Sequence, residues 1–198
     1  MSNQYFNENP SVLANERLLR LSIFGMEFSF LTNNGLFSCD RIDAASVLLL
    51  EHVPPLTGCL LDLGCGYGTL GIVLTKTNPV SLTMSDINSI ALGYAAKNAK
   101  LNQIEAECIH SDGFASLPFS YDNIVLNPPI HAGKEVMYRL YTQSAAHLTP
   151  GGALYIVIQK KHGAESTLKA LGEIFCECRI LFKKKGHYVL QCISMKND

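Results

Sequence analysis

The segment Leu60-Leu61-Asp62-Leu63-Gly64-Cys65-Gly66-Tyr67-Gly68-Thr69-Leu70-Gly71 constrains the fold of this chain more than any other. A short apolar strand runs into three alternating glycines and then into an apolar helical stretch. Glycine adopts left-handed backbone without penalty and lets a ligand approach the main chain closely. The plain structural reading is a tight strand-to-helix turn, and the functional one is a ligand site at that turn. Two details sharpen the second. The dinucleotide fingerprint G-x-G-x-x-G would put its third glycine at position 69, which is Thr69, with Gly68 one residue early. Asp62 places a carboxylate at the strand end, where it suits a positively charged ligand group or an ordered water. A pyrophosphate would gain nothing from that charge.

Around this segment short apolar strands alternate with helical segments. Strands are expected at Cys59–Leu63, Val80–Ser85, Ala106–His110, Asn123–Leu126 and Ala153–Ile158. Helices are expected at Thr69–Lys76, Ser89–Leu101, Lys134–His147 and Ala164–Phe175. This order predicts an α/β fold, a mostly parallel sheet with helices on both faces. Arg179–Phe182 and Tyr188–Ile193 are separated by only five residues, so they must form an antiparallel hairpin. Before the first strand, residues 42–52 read as a helix stopped by Pro54-Pro55, and residues 21–38 alternate around Asn34-Gly35, a hairpin signal. Residues 1–20 suggest a short helix or arm. The expected organisation is an extension over 1–41 and one compact unit over 42–198.

With 198 residues the chain fits one domain, and 47% hydrophobic against 17% charged residues excludes a disordered chain. Seven cysteines in scattered positions, with no C-x-x-C, read as buried thiols rather than a zinc site, so no metal is expected. That usage fits a reducing compartment, and the polar first ten residues lack a signal-peptide core, so a cytoplasmic protein with no membrane span is expected. A net charge of −1 argues against an all-over basic nucleic-acid binder. The charge is unevenly spread, however. Residues 1–159 hold 8 Lys+Arg and 13 Asp+Glu, whereas residues 160–198 hold 8 and 4. A basic C-terminal end with Lys183, Lys184 and Lys185 at the hairpin tip is either a solvated turn or a phosphate contact.

The other strand ends carry polar motifs in register with the glycine loop. Asp86 lies 22 residues after Gly64, a spacing suited to a carboxylate on ribose hydroxyls, although Asp86 or Asn88 would also serve as a helix N-cap. Asp112-Gly113 ends the third strand, as an acceptor for an adenine amino group or as a simple Asx turn. The fourth strand runs into Asn127-Pro128-Pro129-Ile130-His131. Two prolines remove two backbone donors. What remains is acceptors, the partners a planar amino group needs if its lone pair is to be aimed at an electrophile.

Taken together, Asp62-x-Gly64-x-Gly66, Asp86, Asp112 and Asn127-Pro128-Pro129-Ile130 resemble the class I S-adenosylmethionine-dependent methyltransferases of the amino-N type. More narrowly, the chain resembles the group that methylates guanine N2 in small-subunit ribosomal RNA, the methyltransferase C group. The narrower likeness rests on Gly35-Leu36-Phe37-Ser38, Ile42-Asp43, Ser46-Val47-Leu48-Leu49, the run Asn127 to Lys134, Lys160-Lys161-His162-Gly163-Ala164 and Lys183 to Leu190. It covers residues 20–195.

The resemblance implies a Rossmann-like sheet of seven strands and S-adenosyl-L-methionine as cofactor. It implies that Asp62, Gly64, Gly66 and Gly68 surround the methionine part. Asp86 and Ile87 would meet the ribose, and Asp112 and Gly113 the adenine. Asn127 and the Pro128 carbonyl, with Pro129 behind them, would hold the target amine. Phe37, Ser38 and Asp43 would close over the site, and Ile130, His131, Lys134 and Lys183–Lys185 would face substrate. Members often carry an aromatic where this chain has Ile130. Longer members also add a second, degenerate domain for which 198 residues leave no room. The expected partner is RNA, with monomer and homodimer both open. The rival readings are a protein glutamine-amide or small-molecule amine N-methyltransferase, and a non-catalytic RNA-binding assembly factor.

Overall fold

The computed structural model describes residues 16–117, 120–129, 132–160, 163–184 and 186–195. Nine strands and five helices lie among them: β1 Arg17–Ile23, β2 Met26–Thr32, α1 Ala44–His52, β3 Gly58–Leu63, α2 Thr69–Thr77, β4 Val80–Asp86, α3 Ser89–Leu101, β5 Ala106–His110, β6 Tyr121–Leu126, α4 Lys134–His147, β7 Leu148–Gln159, α5 Ala164–Ile174, β8 Glu177–Lys184 and β9 His187–Ile193. Seven strands form one sheet in the order β5-β4-β3-β6-β7-β9-β8. The first five of these are mutually parallel, and β9 is antiparallel to both β7 and β8. The terminal hairpin therefore folds back so that its second strand, not its first, joins the parallel sheet.

The central strands are apolar at successive positions because both sheet faces are covered. On β6, Val125 packs into one core with α1, α2 and α3, while Ile124 and Leu126 pack into the other with α4 and α5. On β7, Tyr155 and Val157 alternate with Leu154, Ile156 and Ile158 in the same way. Strands buried on two faces lose the polar alternation of a half-exposed sheet. From β3 the chain winds outward through β4 to β5, then returns to β6 on the other side of β3. A crevice opens at the carboxyl ends of strands where the winding direction switches. Here that point falls between the glycine turn after β3 and Asn127 after β6.

The N-terminal hairpin turns earlier than the sequence pattern suggests. The turn is Phe24-Gly25, both left-handed at φ 54° and 71°, rather than Asn34-Gly35. Two positive φ angles match the twist of a tight two-residue hairpin. Asn33 instead makes a local turn, its side chain accepting from the Gly35 amide at 2.9 Å. The stretch 17–20, expected as part of a helix or arm, is β1; residues 1–15 lie outside the described residues.

Strand β2 is seated on α3 by two asparagines one helical turn apart. The Leu31 amide donates to Asn98 Oδ1 at 2.7 Å, and Asn98 Nδ2 donates to the Leu31 carbonyl at 2.9 Å. Asn102 repeats this on Ser29, at 3.1 Å and 2.7 Å. Side-chain amides thus take the place of a neighbouring strand and satisfy an edge that would otherwise be unpaired. Asn98, fully buried, also donates to the Tyr67 carbonyl at 2.9 Å, which ties hairpin and glycine turn together.

Candidate active site

The glycines of the β3–α2 turn divide into two kinds. Gly64 and Gly66 are left-handed at φ 64° and 56°, and a Cβ on either would meet no atom within 4 Å. Both line an open cleft. Gly68, also left-handed at φ 93°, is the N-cap of α2, and its missing Cβ would sit 3.0 Å from Ile72 Cδ1 and 3.1 Å from Met84 Sδ. Gly68 does not line the cleft; its bareness serves packing between α2, β4 and α3.

Asp62 is 1% exposed and lines the cleft floor. One of its carboxylate oxygens accepts from the Gly71 amide at 2.7 Å. A glycine N-cap brings no side-chain acceptor, so Asp62 reaches across from β3 to satisfy an orphan amide in the first turn of α2. Burial pushes the Asp62 pKa up from the usual 3.8 to about 7, against the lowering effect of the Gly71 N–H, and the nearby Asp86 charge adds to the rise. Asp86, at the end of β4, accepts from the Gly66 amide and the Asn88 amide, each at 2.8 Å. Burial raises its pKa too, opposed by those amides and by His110. The N-cap of α3 is Asn88, which accepts from Ile90 and Ala91. That frees Asp86 for the loop, and each of its oxygens keeps lone-pair capacity toward the cleft.

Asp112, after β5, lies on the same rim and meets a residue that sequence reasoning missed. Arg139 on α4 grips it with two bonds, Nη2 to Oδ1 at 2.7 Å and Nη1 to Oδ2 at 3.3 Å. Both side chains are about half exposed, and both residues line the cleft. Nothing in the local sequence marks Arg139, because α4 packs this end of the helix beside β5's loop only in three dimensions. Ile87, Gly113, Pro128, Pro129, Phe37, Ser38 and Asp43 also line the cleft. Ser38 is left-handed at φ 54°, and its carbonyl accepts from the Tyr67 hydroxyl at 3.4 Å.

After β6, Asn127 commits its amide nitrogen to the start of α1, donating to Asp43 at 2.8 Å and to the Ser46 hydroxyl at 3.0 Å. Its amide oxygen is left as the acceptor at the cleft. The Pro129 carbonyl is taken by the Ala132 amide at 2.8 Å, whereas the Pro128 carbonyl accepts from no group among the described residues. Two acceptors are what a planar –NH2 group needs. Lys134, Lys183 and Lys184 are exposed and stand outside the cleft lining. Lys183 and Lys184 close β8 opposite Tyr188 and His187, and His187 pairs with Gln159 at the end of β7. The basic tip therefore lies on the same edge of the sheet as Asn127, on the side away from Asp86 and Asp112. Ile130, His131 and Lys185 lie outside the described residues.

The donor set fits a cationic nucleoside ligand. Four carboxylates, those of Asp43, Asp62, Asp86 and Asp112, line the cleft with a bare glycine backbone, Asp62 fully buried among them, and the Ser85 hydroxyl beside them has no partner among the described residues. A pyrophosphate would face uncompensated negative charge here. The sequence profile of the methyltransferase small domain family matches residues 27–191, which is most of the chain. The chain belongs to the methyltransferase small domain family. This membership agrees with the S-adenosylmethionine-dependent methyltransferase class and the Rossmann-like sheet.

Among relatives of this methyltransferase small domain, YbxB of Bacillus subtilis (strain 168) is 36% identical and the alignment covers 96% of this chain and 98% of that one. The ribosomal RNA small subunit methyltransferase C of Vibrio cholerae is also 36% identical, over 80% of this chain but 47% of its own. A 16S ribosomal RNA N2-guanine methyltransferase of T. thermophilus, solved with S-adenosylmethionine and guanosine, superposes with a TM-score of 0.81 at 28% identity. That match covers 95% of this chain and 53% of the other. The chain thus spans about half the length of the ribosomal RNA methyltransferases it matches. No helix among the described residues is long and apolar enough to cross a membrane, and no cluster of metal-ligating side chains occurs among them.

Proposed function

We propose that this chain transfers a methyl group from S-adenosylmethionine to the exocyclic N2 of a guanine in small-subunit ribosomal RNA. The observation that carries the reading is the pair of acceptors at the end of β6, the Asn127 amide oxygen and the Pro128 carbonyl, at one end of a carboxylate-lined cleft. The similarity to a ribosomal RNA methyltransferase crystallised with guanosine supports guanine as the base. Residues 42–198 form the catalytic unit, and the hairpin before it is an extension docked on α3.

The cofactor, when bound, supplies a methyl group activated on a sulfonium. Asp62 would balance its positive charge, Asp86 and Ile87 would hold the ribose, and Asp112 and Gly113 would hold the adenine. Gly64 and Gly66 let the ligand lie against bare backbone. The target amine gives its two N–H bonds to Asn127 and Pro128, which aims the nitrogen lone pair along the line of displacement. No strong base is required at the amine: the nitrogen would take the methyl as the S–CH3 bond breaks with its electron pair left on the departing sulfur, and the proton would then pass from the nitrogen to water. A stacked base is out of reach, so the guanine must be unpaired or turned out of its helix. The basic edge formed by Lys183 and Lys184 beside the amine end of the cleft suits phosphate contacts that position the strand.

The test is incubation of the protein with methyl-labelled cofactor and small ribosomal subunits or their naked RNA, followed by nucleoside mass spectrometry. N2-methylguanosine is expected, and Asn127→Ala should lower its formation by about 100-fold or more. Label that survives nuclease and stays with protein would overturn the RNA reading, as would cofactor binding without transfer to any RNA.

A further inference from the structure

Asn127 can act on an amine only if its oxygen, and not its nitrogen, faces the cleft. Asparagine amides are near-symmetric in shape, so something must choose between the two orientations. The chooser lies 81 and 84 residues earlier in the chain, at the start of α1. Asp43 is the N-cap of that helix, and its Oδ2 accepts from the Ser46 amide at 2.9 Å. The same oxygen accepts from the Ser46 hydroxyl at 3.2 Å and from Asn127 Nδ2 at 2.8 Å. Because the Ser46 hydroxyl spends its proton on Asp43, its lone pair is turned to Asn127, which donates to it at 3.0 Å. The Asn127 amide nitrogen thus has both of its acceptors on one side.

We infer that Asp43 and Ser46 are positioning residues that fix the orientation of the Asn127 amide, and that the helix cap of α1 is for this reason part of the methyl-transfer machinery. The inference rests on the proposed role of Asn127 in holding the amine. A flipped Asn127 would bring its oxygen to 2.8 Å from the Asp43 carboxylate oxygen and would lose both donor bonds. The cap geometry works the other way as well. Asp43 has extended backbone at φ −63°, ψ 128°, the N-cap conformation, and its bond to the Ser46 amide holds the side chain over the first turn of α1. The helix start and the catalytic loop share a single oxygen, and Asn127 inherits the rigidity of α1, whose Leu49 and Leu50 are buried in the core.

The test uses variants that keep the cap while breaking the clamp. Asp43→Ser preserves an N-cap acceptor on a shorter side chain, and Ser46→Ala leaves the Asp43 bond to the residue 46 amide intact. Each should lower kcat for RNA methylation by about 10- to 100-fold, the scale of a misaligned reacting group, with the cofactor Kd changed less than about twofold. Asp43→Asn, which restores an oxygen of the right reach, should recover most of the loss. In an Asn127→Ala background, adding Asp43→Ser should leave the residual single-turnover rate unchanged. An unchanged kcat in Ser46→Ala and Asp43→Ser would overturn the inference. So would a further fall in the Asn127→Ala background, because Asp43 would then act by another route. If Asn127→Ala itself methylates RNA at the wild-type rate, the assignment of Asn127 fails first, and the clamp falls with it. That outcome is distinguishable because it appears in the single variant.

Discussion

Asp62→Asn tests whether the buried carboxylate under the glycine turn is kept for a ligand at the expense of the fold. Asp62 is 1% exposed, and its pKa is raised from 3.8 to about 7, mainly by burial. The folded state therefore holds its proton more tightly than the unfolded chain does. Below pH 3.8 both states are protonated and Asp62 costs nothing through ionisation. Between 3.8 and about 7 the unfolded chain has lost the proton and the folded one keeps it, so stability falls as pH rises. Above about 7 the whole difference is felt, which at about 1.4 kcal/mol per pH unit is about 4 kcal/mol.

Asparagine at 62 keeps an oxygen for the Gly71 amide and does not titrate. The stability of Asp62→Asn minus that of wild type, from urea unfolding without ligand, should grow by about 3 kcal/mol between pH 5 and pH 8. Taking the change in this difference cancels any pH-independent effect of the substitution. Binding should move oppositely. A positively charged ligand favours the ionised carboxylate, so wild-type affinity for S-adenosylmethionine should rise as pH passes through about 7, and Asp62→Asn should bind weakly with no such rise. Calorimetry reads both. A stability difference that stays flat from pH 5 to pH 8 would refute the reasoning about burial, and equal affinity in the two proteins would refute the reasoning about the ligand.

Three further outcomes follow from the geometry. Arg139→Ala frees Asp112 from its bidentate partner and should tighten cofactor binding by up to about fivefold, the scale of a half-exposed ion pair; weaker binding would mean that Arg139 itself contacts the ligand. Asn98→Ala removes three hydrogen bonds of a fully buried side chain and should cost about 3 kcal/mol in urea unfolding, whereas the half-buried Asn102→Ala should cost less; a loss below about 1 kcal/mol would show that β2 does not depend on this substitute strand. Lys183→Ala with Lys184→Ala should weaken RNA binding and flatten its dependence on log salt by about 1 for each phosphate that is no longer neutralised, leaving cofactor affinity unchanged, as filter binding over a salt series would reveal.

Much of the site was legible because its signals are local. The glycine turn, Asp86, Asp112-Gly113 and Asn127-Pro128-Pro129 each sit at a strand end, and parallel strands bring their carboxyl ends to one edge of the sheet by topology alone. What the pattern misplaced has a local reason too. Asn34-Gly35 looks like a hairpin turn, but Asn33 already closes a turn on Gly35, and the strands pair around Phe24-Gly25 instead. Phe24 in a left-handed conformation is an unusual choice that no turn rule would have selected.

By itself, then, the amino-acid sequence determined the α/β class, the strand order's natural ligand edge and the polar residues that end each strand, since these depend on periodicity and on chemistry within a few residues. Only the tertiary structure decided how those residues are held. Asp62 caps a helix as well as facing the cleft, Arg139 grips Asp112, Asn98 joins the hairpin to the glycine turn, and Asp43 with Ser46 orients Asn127. These partners stand 9 to 84 residues apart. Side-chain hydrogen bonds of that separation leave no periodic trace in a single chain, because they depend on where two elements meet and not on what either one is.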